Sequence, residues 1–413
     1  MTKPFDIPKC QVMQAFKQVK ANAGSAGVDH QSITQFEENL KDNLYRIWNR
    51  MSSGSYLPPP VKAVSILKKS GGERMLGVPT VSDRIAQMVV KLQIEPILEP
   101  LFLPDSYGYR PKRSAIDAIS VTRQRCWKQD WVLEFDIKGL FDNIPHDLLL
   151  KAVEKHVESP WALLYIKRWL TVPLKLEDGS LQSRTTGTPQ GSVVSPILSN
   201  LFLHYVFDAW ITKYYPEINW CRYADDGLIH CQSLPQANRM LEILSCRFRE
   251  CGLELHPEKT KIVYCKDSNR QGAYPVKSFD FLGYTFCGRT VRNGDGIVFR
   301  SFSPAVSKTA LKSMNRTIRE SNVRNRVDLS IEDIARWFNP KLQGWINYYG
   351  RFNRSALDPV LRGFNRTLRK WIMCKYRRLR GRTIRSSNFL KRIFETRPTL
   401  FVHWQFSSIG VYA

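Results

Sequence analysis

Asp225 and Asp226 follow one another inside Trp220-Cys221-Arg222-Tyr223-Ala224-Asp225-Asp226-Gly227-Leu228-Ile229-His230-Cys231, with aromatic, aliphatic and β-branched residues on both sides. The pattern predicts a β-hairpin whose tip carries two adjacent carboxylates. Like charges this close repel, so packing alone gives no reason to place them at the end of an apolar ribbon. Hard divalent cations such as Mg2+ supply one, because they take carboxylate oxygens, and a two-metal phosphoryl-transfer site needs a further carboxylate from elsewhere in the chain. Asp136 is the candidate. Asp-Asp-Gly is also ordinary turn chemistry, so the pair alone leaves a solvated turn open.

The elements that would carry these groups are legible as patterns. Val132-Leu133-Glu134-Phe135-Asp136-Ile137 has strand composition and Lys138-Gly139 ends it, which puts Asp136 near a strand terminus. Helical spacing over 33–50 stops at Ser52-Ser53-Gly54-Ser55. The stiff Tyr56-Leu57-Pro58-Pro59-Pro60 connector then leads to a basic hairpin, 61–67 and 74–78, around Lys68-Lys69-Ser70-Gly71-Gly72. Such a hairpin suits a phosphate; a lysine-rich exposed turn has the same composition. Helices are predicted over 82–98, 114–127, 146–156, 161–170 and 236–251, a hairpin over 174–185, and one long helix from Pro189-Gln190-Gly191 to Tyr214. From 303 onward the helices turn basic, over 308–320, 331–349 and 359–379.

Phe135-Asp136-Ile137 through Phe141, Gly187-Thr188-Pro189-Gln190-Gly191-Ser192 and Tyr223-Ala224-Asp225-Asp226 resemble, in order, the catalytic blocks of reverse transcriptases. With Asn339-Pro340-Lys341-Leu342-Gln343-Gly344-Trp345-Ile346-Asn347-Tyr348-Tyr349, nearly the whole chain resembles the reverse transcriptase/maturase encoded by bacterial group II introns. The resemblance implies an α+β right-hand polymerase fold, fingers and palm with an antiparallel palm sheet, followed by an α-helical thumb/maturase domain. The implied divisions are 1–110 for the N-terminal extension and fingers, 111–300 for the palm-centred region and 301–413 for the thumb/maturase domain.

The same resemblance implies two Mg2+ ions held by Asp136, Asp225 and Asp226, with the Ile137 carbonyl as a further ligand. Nucleotide contacts are implied for Lys68, Lys69, Arg74, Gln190 and Gly191. Leu67 stands where such hairpins often carry proline, which leaves the choice between the two lysines open. Phe141 matches the aromatic gate that would clash with a ribose 2′-hydroxyl, a core aromatic being the alternative. Lys259 is the implied proton donor to pyrophosphate, with Lys261 nearly as eligible. Arg110, Lys112 and Arg113 lie near the implied template path or else form a helix-capping loop, and Leu282-Gly283 belongs to the implied primer grip. The implied partners are group II intron RNA, an RNA or DNA template with its primer, dNTPs and a DNA target site. No cysteine pairs or His-rich block follow, so the DNA-binding and endonuclease domains of longer relatives are expected to be absent.

Composition agrees with a polyanionic partner. The 413 residues carry a net charge of +25, and residues 301–413 hold 23 Lys or Arg against 6 Asp or Glu. A surface this basic repels itself unless it meets nucleic acid or, less aptly, an anionic membrane. Arg366, Arg369, Arg377 and Arg378 belong to a run in which cations interleave with Phe364, Leu368, Trp371 and Ile372, predicting a helix with an apolar seam and a phosphate-binding face. Nine cysteines without a Cys-x-x-Cys pair argue against a disulfide framework or zinc module. With no apolar leader or uninterrupted apolar span, a soluble cytoplasmic protein without a membrane partner is expected. Two other readings remain: a defence-associated or domesticated reverse transcriptase without an intron, which the Trp345 region disfavours, and an RNA-binding splicing cofactor with a dead polymerase site, which the intact aspartates disfavour.

Overall fold

The computed structural model of the protein describes residues 3–67, 73–292 and 294–406. Its strands, in chain order, are β1 (Val61–Leu67), β2 (Glu73–Val78), β3 (Trp131–Asp136), β4 (Leu174–Lys175), β5 (Leu181–Gln182), β6 (Asn219–Tyr223), β7 (Asp226–Cys231), β8 (Lys261–Tyr264), β9 (Ser278–Phe281), β10 (Tyr284–Arg292) and β11 (Val298–Val306). They form three sheets, ordered β2-β1-β4-β5, β6-β7-β3-β8 and β11-β10-β9. The expected basic hairpin is the antiparallel β1–β2 pair. Lys68 and Lys69, on which the triphosphate expectation partly rests, lie outside the described residues.

Two compact units divide the chain: residues 1–118 with 133–262, and residues 119–132 with 263–413. Residue 301, the expected boundary, falls inside the second of these units. Ser301 sits within β11, paired with Arg289 of β10, and a ladder of backbone hydrogen bonds cannot be cut there. The charge shift marks where the surface becomes cationic, whereas the compact unit begins earlier, ahead of the β9–β11 sheet.

In the first unit, the helix Val81–Leu98 is buried over most of its first three turns, and its N-cap Thr80 accepts from the Asp83 backbone N–H. The predicted long helix to Tyr214 is broken into three: Ser195–Leu203, a π-helical turn His204–Asp208 and Ala209–Tyr214. Within that widened turn Asp208 is fully buried and ion-paired to Arg222, Nη2 to Oδ2 2.6 Å, a demand that hydrophobic periodicity does not reveal.

The second unit stacks Phe279 on Phe286 with centroids 4.7 Å apart and rings 4° from parallel. Its helices Lys308–Glu320, Ile331–Tyr349, Asp358–Lys375 and Thr383–Thr396 close over a core containing Phe338, Phe364, Leu368 and Trp371. The predicted helix 359–379 ends early, because Tyr376 is extended (φ −101°, ψ 103°) and Arg377–Leu379 form a separate 3-10 turn. Arg377 and Arg378 therefore do not share a helix with Arg366 and Arg369. All nine cysteines are free thiols. Among the described residues no helix is long and apolar enough to cross a membrane.

Candidate active site

β6 and β7 form an antiparallel hairpin in which Tyr223 pairs with Asp226, leaving Ala224 and Asp225 as a two-residue loop. Ala224 has φ 57°, a left-handed conformation costing a non-glycine residue on the order of 1–3 kcal/mol. The buried Arg222 offsets this cost. Its Nη1 donates to the Ala224 carbonyl at 3.1 Å and to Asn200 Oδ1 at 3.1 Å, Nε and Nη2 grip the Asp208 carboxylate at 2.7 and 2.6 Å, and Nη2 also reaches Ser106 Oγ at 2.8 Å. A guanidinium presents such a fork in fixed geometry. Gly108 supports the turn from outside: a Cβ there would stand 2.4 Å from the Ala224 nitrogen.

Gly227 serves differently from the turn residue its sequence suggests. It lies in β7, and a Cβ on it would meet the Phe135 ring at 2.0 Å, so glycine here admits the ring of the neighbouring strand. That close approach sets β3, and with it Asp136, beside the Asp225-Asp226 turn. The segment after the helix Leu234–Glu250 fastens the end of β3: His256 N–H donates to the Asp136 carbonyl at 2.8 Å, Lys138 N–H to the Glu254 carbonyl at 2.9 Å, and Ile137 bridges Leu255.

The three aspartates consequently share one electrostatic field. The Asp226 carboxyl is raised from 3.8 to about 7, first by burial and then by the charges of Asp225 and Asp136, with Lys259 opposing. Lys259 Nζ lies 2.9 Å from Asp136 Oδ2. Lys261 turns instead to Glu134 at 3.1 Å, so geometry separates two lysines that the sequence leaves equivalent. Among the described residues no three His, Cys, Asp or Glu side chains close to metal-holding distance; the aspartates share a field rather than a coordination shell. The donor set still fits a hard cation, being made of carboxylates whose mutual repulsion a divalent ion would relieve.

Beside this cluster the Gly187–Gly191 loop is clamped to the turn that follows β3. Gly187 N–H donates to the Ile144 carbonyl at 2.7 Å, Thr188 N–H to the Phe141 carbonyl at 2.6 Å, and Gln190 Nε2 to Asp142 Oδ2 at 2.9 Å. At Gly187 (φ 76°) a Cβ would stand 2.4 Å from the Phe141 carbonyl oxygen. The loop's other end meets β2, where Gly77 N–H donates to the Gln190 carbonyl at 2.7 Å and the Gly77 carbonyl oxygen lies 2.5 Å from any Cβ on Gly191. Phe141, Gln190 and Gly191 are thus brought together, and the strand carrying Arg74 runs alongside. Phe141 is only 7% exposed, edge-on to Tyr109 at 6.4 Å.

A buried relay backs this loop and has no counterpart in the sequence patterns. Gln87 Oε1 accepts from Ser192 Oγ and Val193 N–H, both at 2.7 Å, while its Nε2 donates to Asp83 Oδ2 at 2.8 Å. Asp83 Oδ1 in turn accepts from Tyr56 at 2.9 Å and Trp169 at 2.8 Å.

The other expected contacts divide. Arg110 is committed to structure: its side chain is 5% exposed, 2.7 Å from Glu99, and donates to the Leu103 and Ser106 carbonyls, so it is unavailable to a template phosphate as it stands. Lys112 and Arg113 are exposed, Arg113 lying 5.9 Å from the Tyr107 ring centre. In the second unit, Leu282 (φ 51°) and Gly283 (φ 79°) form the β9–β10 turn, with the Leu282 carbonyl accepting from Tyr348 at 2.8 Å. Arg366, Arg377 and Arg378 are exposed, whereas Arg369 is half-buried and donates to Ser387 at 3.3 Å.

The family of reverse transcriptases (RNA-dependent DNA polymerases) matches residues 66–286, and the group II intron maturase-specific domain matches residues 311–389. The chain is similar to protein YkfC of Escherichia coli K12, 29% identical over 314 residues that make up 66% of this chain and 78% of YkfC. It is 32% identical to group II intron-encoded protein LtrA of Lactococcus lactis subsp. cremoris over 193 residues, 46% of this chain and 32% of LtrA. The match therefore spans about a third of LtrA. A telomerase from Candida albicans, solved with a fragment of telomeric RNA, overlays 91% of this chain and 68% of its own at TM-score 0.44 and 15% identity, too loose a likeness to bear on the site. The first of the two family matches covers more than half of the chain, which therefore belongs to the reverse transcriptase family and carries, in its basic helices, a match to the group II intron maturase-specific domain.

Proposed function

We propose that this chain extends a primer with deoxynucleotides on an RNA template and binds its own group II intron RNA to assist splicing and mobility into a DNA target. The observation that carries the first part is geometric: Asp225 and Asp226 stand at the turn of the β6–β7 hairpin and Asp136 ends β3, the strand beside β7, close enough for the charges of Asp225 and Asp136 to raise the Asp226 carboxyl. Such a concentration of anionic oxygens is costly to fold around unless cations use it.

In this reading Asp136, Asp225, Asp226 and the Ile137 carbonyl would hold two Mg2+ ions, which supply Lewis-acid stabilisation of the attacking and leaving oxygens in phosphoryl transfer. Arg222 keeps the Asp225-Asp226 turn in its strained conformation. Lys259, beside Asp136, would give a proton to the departing pyrophosphate. Gln190 and Gly191 would bound the incoming base and sugar while Phe141 would lie beneath the ribose, and Lys68 or Lys69 with Arg74 would meet the triphosphate. Lys112 and Arg113 would follow the template and Leu282-Gly283 the primer. Free thiols suit a reducing cytoplasm.

Asp225→Asn tests the site. The amide cannot supply the anionic ligand Mg2+ prefers, so primer extension on an RNA template should be abolished while RNA binding stays within a few-fold of wild type. Undiminished polymerisation would refute the assignment.

A further inference from the structure

The helices Lys308–Glu320 and Asp358–Lys375 and the turns that follow each of them enclose two adjoining grooves that the polymerase chemistry does not use. The larger, about 790 Å³, is lined by Arg324, Lys370, Lys375, Arg377 and Arg380, with Cys374 among them. The smaller, about 360 Å³, is lined by Asn315, Asn322, Asn325 and Thr367 together with Arg319. Arg324 and Lys370 line both, and among the described residues no acidic side chain lines either.

Most of the charges in the larger groove are uncompensated, Lys375 being the one that feels the carboxylates of Asp328 and Asp333. Lys375 is partly used, donating to the Val327 carbonyl at 3.2 Å and to the Leu329 carbonyl. Among the described residues Arg324, Lys370, Arg377 and Arg380 have no carboxylate partner. Four cations around one concavity repel one another until an anion enters, and guanidinium forks match phosphate oxygens.

The smaller groove adds three side-chain amides to its cations. Asn325 Nδ2 donates to Asn322 Oδ1 at 2.9 Å, and Asn322 takes the left-handed φ of 49° that places its amide at the turn. Gly363 on the opposite helix lets Asn315 Oδ1 lie 3.4 Å from where a Cβ would stand. Asn amides offer donors and acceptors together, the complement of a base edge. Sequence-specific RNA readers take unpaired nucleotides because the grooves of an A-form duplex hide the base edges.

We propose that the paired grooves receive one unpaired ribonucleotide of a bound RNA, its flanking phosphates against Arg324, Lys370, Arg377 and Arg380 and its base edge against Asn315, Asn322 and Asn325. The proposal rests on the reading that this chain binds RNA and adds where, and in what state of pairing, a nucleotide is read.

Cys374 supplies a direct probe, because it is exposed and lies in the groove, while the exposed Cys10 and Cys246 serve as references. Alkylation of each thiol in the full chain is followed by mass spectrometry with no RNA, with a short unstructured oligoribonucleotide, and with the same sequence in a perfect duplex. The unpaired RNA should slow Cys374 several-fold, leaving Cys10 and Cys246 unchanged, and the duplex should not. Arg324→Gln with Lys370→Gln should abolish the protection, and Asn315→Ala with Asn325→Ala should erase the preference for unpaired RNA. These side chains are exposed, so the fold should persist. Asp225→Asn should protect as wild type does, which separates this proposal from the polymerase reading. Equal protection by duplex and single strand, or none by either while filter binding shows RNA bound, would overturn it.

Discussion

Arg222 contributes two separable effects, one to stability and one to the Asp225-Asp226 turn. Its pair with Asp208 is fully buried, and removing one member of such a pair costs about 3–5 kcal/mol because a charge is left unpaired. Arg222→Met alone should therefore lower the melting temperature markedly. Arg222→Met with Asp208→Leu removes both charges and should recover much of that loss, yet primer extension should stay depressed because the Ala224 carbonyl still lacks its donor. Recovery of extension together with stability would reduce Arg222 to a core residue. Phe141, buried against Tyr109, allows an equally local test. Phe141→Ala should raise ribonucleotide incorporation relative to deoxyribonucleotide; unchanged selectivity in a folded variant would assign the ring to the core alone.

At the scale of elements, the helix Val81–Leu98 couples the fold to the end of the Gly187–Gly191 loop through Asp83 and Gln87. Burial raises the Asp83 carboxyl from 3.8 to about 6, although Trp169, Tyr56 and Gln87 donate to it and oppose the shift. The folded state therefore binds a proton more tightly than the unfolded chain between these values. The corresponding stabilisation is fully present below the unfolded value and is lost as pH rises to about 6, a change of about 3 kcal/mol at most. Denaturation of wild type and Asp83→Asn at several pH values isolates this part, since other groups cancel in the difference. Wild type should lose stability relative to the variant from about pH 4 to pH 6 and hold a constant difference above pH 7. A pH-independent difference would show that Asp83 does not titrate in that window.

For the whole molecule the relevant quantity is charge. The net +25 is concentrated in residues 301–413, but the structure distributes the named arginines over a helix and a following 3-10 turn rather than along one face. Converting Arg366, Arg369, Arg377 and Arg378 to Gln should weaken intron RNA binding and flatten its salt dependence by roughly 0.7–0.9 in log-log slope for each phosphate that is no longer neutralised. Arg369 should contribute least, because it is half-buried and already bonded to Ser387. Splicing assistance should fall more than extension of a short primer-template at low salt. An unaltered slope would make these arginines an ordinary solvated face, and an equal fall in both activities would place them in the polymerase's own grip.

The groups proposed to do the chemistry were legible because their signals are local. Alternation around Asp225-Asp226 is a property of a dozen neighbouring residues, as is the strand that ends at Asp136, and the family's blocks occur in fixed order along the chain. What the sequence could not decide depends on approach between distant segments. Lys259 reaches Asp136 across 123 positions and Arg222 reaches Ser106 across 116, and no periodicity encodes either. The use of Gly227 to admit the Phe135 ring, the commitment of Arg110 to Glu99, the early end of the last long helix and the compact division ahead of 263 have the same origin. Each is set by what a side chain or backbone meets after folding, because burial, steric exclusion and buried charge pairing act through space, whereas propensity and pattern act along the chain.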